Sequence, residues 1–78
     1  MAKDLAQTLA EDLAELGLAE LVGPGSLKAL DSNTLVELEQ EDDLITVYEN
    51  GESLGDFSFA DEKFHEAFMA TLATSLNF

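Results

Sequence analysis

Leu5, Leu9, Leu13 and Leu16 recur at intervals of four, four and three, the spacing of one face of an α-helix, and predict a helix from Lys3 to about Leu16. At about 100° per residue, Asp4, Glu11, Asp12 and Glu15 fall on one flank of that stripe and Ala6, Ala10 and Ala14 on the other. The alanine flank suits close approach to another backbone. The acidic flank must meet water or a partner. Gly17 is the expected left-handed stop, with Leu18 to Val22 as a last irregular turn before Gly23-Pro24-Gly25 breaks the chain.

Beyond that break the period changes from helical to alternating, and four strands are predicted at about 26–30, 34–39, 44–49 and 53–59. Asp31-Ser32-Asn33 has turn chemistry, and Gln40 to Asp43 forms the second bend. Asn50-Gly51, between two alternating runs, is the strongest hairpin signal in the chain. Gly55 inside the fourth run marks a bulge that resets the phase before Phe57 and Phe59. Asp61 caps a second helix running to about Ser75, with Phe64, Phe68, Leu72 and Leu76 at spacing four. The fold class is therefore α+β in the order α-β-β-β-β-α: a four-stranded antiparallel meander with both helices on one face, one domain over residues 1–78.

Alternation assigns Val36, Leu38, Ile45, Val47, Phe57 and Phe59 to the inner sheet face. The outer face receives Leu35, Glu37, Glu39, Leu44, Thr46, Tyr48, Asp56 and Ser58. Leucines and a tyrosine among carboxylates give this outer face the mixed character of a recognition surface.

Charge sharpens that reading. Three lysines and no arginine stand against 17 acidic residues, a net charge of −14. The stretch Glu37 to Asp43 alone packs five carboxylates into seven residues. Such an excess disfavours direct nucleic-acid binding and acidic membrane surfaces, and points to a basic protein surface as partner. With no cysteine, thiol chemistry and Cys-ligated zinc are excluded. The charged, helically spaced residues 1–22 read neither as a signal segment nor as a membrane span, so a soluble cytoplasmic protein is expected.

No catalytic constellation emerges, and no cofactor or dedicated metal site is expected. His65, the only histidine, reads as a half-buried residue bonded to Asp61 or to backbone. Loose divalent-cation binding at Glu41, Asp42 and Asp43 is expected from clustered carboxylates, but the spacing from Asp31 fails as a calcium loop. From Ala67 to Phe78 there is no charge, and this helix is expected to offer a homodimer contact.

Three resemblances bear on function. The run from Leu30-Asp31-Ser32 to Leu38 resembles an acyl carrier protein, which implies Ser32 as a carrier serine, although Asn33 stands in place of the usual Leu. The helix with Leu16-Gly17-Leu18, then Leu30-Asp31, Thr34 to Leu38, Asp43-Leu44-Ile45, Tyr48, and Leu72 with Leu76-Asn77-Phe78, resembles the first half of a type III secretion chaperone. That likeness implies a dimer binding an effector segment. The third is one of profile: a short, cysteine-free, strongly acidic chain resembles phage-encoded anti-CRISPR proteins and other DNA mimics. It implies a non-enzymatic inhibitor occupying a basic nucleic-acid-binding surface. The expected contacts are Glu37, Glu39, Glu41, Asp42, Asp43, Glu49 and Glu52, then Glu11 and Glu15, with Tyr48 and Leu35 as apolar anchors.

Overall fold

The structure, a computed structural model, describes residues 4–30 and 32–76. Expectations resting on Lys3, Asp31, Asn77 and Phe78 lie outside the described residues. The elements are α1 (Leu5–Glu15), β1 (Ala19–Gly23), β2 (Ser26–Ala29), β3 (Leu35–Glu41), β4 (Leu44–Glu49), β5 (Glu52–Ser58) and α2 (Phe64–Leu76). The five strands form one antiparallel meander in the order β1-β2-β3-β4-β5. The class is α+β as the pattern predicts, with five strands where four were expected.

The additional strand is β1. It takes up most of the stretch Leu18-Ala19-Glu20-Leu21-Val22, whose apolar spacing suits another helical turn as well as a strand. Pairing with β2 decides the matter: Ala19 faces Ala29, Glu20 faces Lys28 and Leu21 faces Leu27. The helix before it stops as expected. Gly17, at φ 80°, lets its own N–H reach the Ala14 carbonyl and that of Leu18 reach Leu13, which satisfies two carbonyls at the helix end. Pro24 and Gly25 then form the β1–β2 corner. Gly25 sits at φ 70°, and a Cβ there would stand 2.8 Å from the Leu38 carbonyl oxygen, so glycine is demanded twice over.

Asn50 and Gly51, at φ 52° and 86°, have the paired left-handed geometry of a tight hairpin. Asn50 also pins that hairpin to β3, donating its N–H to the Leu35 carbonyl at 2.8 Å and accepting from Leu35 N–H at 2.9 Å. Gly55 lies at the expected bulge, where Val47 pairs with Gly55 but Tyr48 pairs with Ser53. The bend at 40–43 is tighter than expected. Strand β3 continues through Gln40 and Glu41, leaving only Asp42 and Asp43 in the turn, with Asp42 at φ 53°. Helix α2 starts three residues after Asp61, whose carboxylate accepts from Lys63 N–H at 2.8 Å and orders the entry turn.

A single apolar cluster joins the inner sheet face to both helices. Leu27, Val36, Ile45 and Val47 are fully buried beneath Phe68, Leu72 and Leu76 of α2. Phe68 stacks on Phe64 at 5.2 Å and meets Phe57 edge-on at 6.3 Å, which ties α2 to β5. Helix α1 packs through the alanine flank that the pattern marks for close approach, and only part of its leucine stripe is buried. Ala6 and Ala10 lie at the contact with Leu13, Leu5 and Leu9 are half-buried, and Leu16 is 69% exposed. Alanine allows the helix backbone to approach the sheet, and the stripe of leucines is thereby turned toward the edge of the contact. Among the described residues no helix is long and apolar enough to cross a membrane.

Candidate functional site

The outer sheet face is built by the strand register. Along β3, Leu35, Glu37, Glu39 and Glu41 share this face, spaced about 7 Å apart at every second residue. Opposite them on β4 stand Tyr48 against Glu37, Thr46 against Glu39, and Leu44 against Glu41. On β5, Asp56 faces Thr46 and Ser58 faces Leu44. The shorter bend thus moves Glu41 from the turn, where the pattern put it, into the carboxylate row.

Tyr48 is the centre of this arrangement. Its hydroxyl donates diagonally to the Glu39 carboxylate, and the phenol is held above its ordinary pKa of 10.0. The cause is first that hydrogen bond and the Glu39 charge, then partial desolvation and the charges of Asp56 and Glu41. Asp56 is fixed in turn by Thr46, whose Oγ1 donates to Asp56 Oδ1 at 2.6 Å. Asp43 Oδ2 accepts from Ser58 Oγ at 3.5 Å at the tip of the same hairpin.

From Tyr48, Glu39 and Glu41 a groove of about 410 Å³ wraps past the Pro24-Gly25 corner to the start of α1. There Asp4 caps α1, accepting from Gln7 N–H at 2.8 Å, and Leu5 N–H donates to Gln40 Oε1 at 2.6 Å. Asp4 adds a carboxylate to the groove wall that the expected set omits. Asp56 is the other omission. Alternation alone places it on this face, but it stands outside the dense acidic run that marks the expected contacts.

The remaining expected contacts lie elsewhere. Glu49 pairs with Val36 and with Glu52, so both acids share the parity of the inner face, at the sheet end remote from Asp42 and Asp43. Glu11 and Glu15 belong to α1, in the helical layer on the other side of the sheet. The expected set therefore divides into an outer-face group of Leu35, Glu37, Glu39, Glu41 and Tyr48, a tip of Asp42 and Asp43, and two separate pairs.

The surroundings of His65 and Ser32 differ from the expected ones. His65 is exposed, and the Asp61 carboxylate serves Lys63 N–H instead of the imidazole. Among the described residues no three acidic or histidine side chains are grouped to hold a metal ion, and Glu41, Asp42 and Asp43 form no such group. One of the three now points from a strand and two from a turn. Ser32 sits in the β2–β3 connection, with its hydroxyl donating to Thr34 Oγ1 at 3.0 Å and accepting from Thr34 N–H at 3.3 Å, and the sheet around it is incompatible with a carrier's helical bundle. Helix α2 carries no charge after Glu66, and none of its large hydrophobic side chains is among the exposed ones of the described residues. Compared with known proteins, the chain matches no family model, no curated protein and no solved structure.

Proposed function

We propose that this protein is a non-enzymatic acidic inhibitor that occupies a basic, nucleic-acid-binding surface of a partner protein, in the manner of a DNA mimic. The observation that carries the reading is the row Glu37, Glu39 and Glu41 on one strand, flanked by Asp56 and centred on Tyr48. Its spacing of about 7 Å is close to the separation of successive phosphates along a nucleic-acid strand. A sheet holds such a row rigid, so little ordering entropy is lost when a cationic surface docks on it. Half-buried Leu35, Leu44 and Tyr48 add apolar contact that makes recognition more than ionic. The net charge of −14 steers a basic partner toward the molecule from a distance. Lys28, on the outer face of β2, stands across from Glu20 and leaves the centre of the face acidic.

The test is affinity capture from the native host at low salt, with competition by duplex DNA or RNA. A captured nucleic-acid-binding protein should be displaced by either competitor and by rising salt. Glu39→Lys and Asp56→Lys should each weaken binding about tenfold or more, whereas Glu52→Lys and Glu15→Lys, off this face, should change it little. A complex that survives high salt and excess nucleic acid would overturn the reading.

A further inference from the structure

A second groove, of about 550 Å³, lies on the opposite layer of the molecule, between α1 and α2. Its apolar lining comes from Leu9, Leu13 and Leu16 on α1 and from Phe68 and Met69 on α2. Leu16 is 69% exposed at its mouth, the most exposed of the large hydrophobic residues described. The polar rim consists of Asp12, Glu15 and His65, and neither described lysine, Lys28 or Lys63, lines it. An apolar floor edged by two carboxylates selects its occupant by charge as well as by shape.

We infer that this groove is a docking site for an amphipathic helix of a partner protein whose apolar stripe is flanked by Lys or Arg. The floor from Leu9 to Leu16 spans about 10 Å along α1, enough for two helical turns of a ligand and so for apolar anchors at i, i+3 or i+4, and i+7. Lysine and arginine stems can lie over the leucines while their charged ends reach Asp12 and Glu15. A second copy of this chain fits poorly, because it would bring another −14 and the same acidic rim against the first. An acidic or uncharged helix leaves the rim carboxylates without a counter-charge. The site is separated from the Tyr48 face by the whole sheet, so it does not depend on the mimic reading.

The probe is a synthetic helical peptide with a leucine stripe and lysine flanks, titrated into the intact protein by fluorescence anisotropy and by methyl NMR. Saturable binding that shifts the Leu9, Leu16 and Met69 methyl signals and leaves the Tyr48 ring signals in place is expected. Leu16→Asp, at a position 69% exposed, should weaken it about tenfold or more, and Asp12→Lys combined with Glu15→Lys should do the same. Glu39→Lys should leave the affinity within about twofold. Three results would each overturn the inference: no shift at the groove methyls, equal binding of a peptide with the same composition in scrambled order, or equal weakening by Glu39→Lys. Sedimentation that shows a dimer dispersed by Leu16→Asp would assign the groove to a second copy and overturn it as well.

Discussion

Tyr48 shows how one residue reports on the whole acidic face. Its phenol donates to Glu39 and stands among Asp56 and Glu41, all of which disfavour a further negative charge. The folded-state pKa is therefore raised above the ordinary 10.0. For a raised pKa the associated stabilisation is fully present below the unfolded value and is lost as pH climbs through the folded one. Because Tyr48 is the only tyrosine and there is no tryptophan, phenolate absorbance reads this group alone. Its titration midpoint should lie above 10.0, and Glu39→Gln should bring it down toward that value. An unchanged midpoint in the variant would show that Glu39 is not the partner. Strand alternation was sufficient to put Tyr48 and Glu39 on one face, but not to bring them into contact. Their diagonal relation depends on the register, in which Tyr48 faces Glu37 and Thr46 faces Glu39.

At the scale of elements, α1 and β1 separate what periodicity can tell from what it cannot. Leucine spacing correctly announces a helix, and Gly17 correctly ends it, because both signals act within one turn of chain. Which side of the helix is buried most deeply is a property of the contact. Ala10 is fully buried and Leu16 is exposed, although hydrophobicity alone ranks them the other way. Ala10→Leu should therefore destabilise the fold by about 1–3 kcal/mol through overpacking. Leu16→Ala should lie within about 0.5 kcal/mol of the parent. Urea denaturation midpoints check both, and a large loss on Leu16→Ala would contradict the orientation of α1. Strand β1 was illegible for a related reason: five residues without regular alternation carry no local preference strong enough to compete with pairing to β2.

The molecule as a whole places acid on both layers, with Glu37, Glu39, Glu41 and Asp56 outside the sheet and Asp12 and Glu15 beside the helices. A chain of 78 residues has a thin stability margin, and the self-repulsion of a −14 charge consumes part of it. Raising NaCl from about 0.02 to about 0.3 M should screen that repulsion and lift the melting temperature by about 5 °C or more, since about 1 kcal/mol is worth 4–8 °C in a domain of this size. A scanning calorimetry series measures this directly. A flat response would show that the carboxylates are already compensated within the fold.

The chain's own pattern determined the charge, the two helices, four of the strands, the Asn50-Gly51 hairpin, the Gly55 bulge and the division of the sheet into an apolar and an acidic face. These follow from interactions a few residues long, where backbone geometry and side-chain period leave few alternatives. Tertiary structure decided the rest: the fifth strand, the full burial of Ala10 with Leu16 left exposed, the passage of Glu41 from bend to strand, and the cross-strand pairing of Glu49 with Glu52 at the sheet end remote from Asp42 and Asp43. Each depends on which segments pair and how closely layers approach. Those distances are set between residues remote in sequence, where no local spacing carries the information.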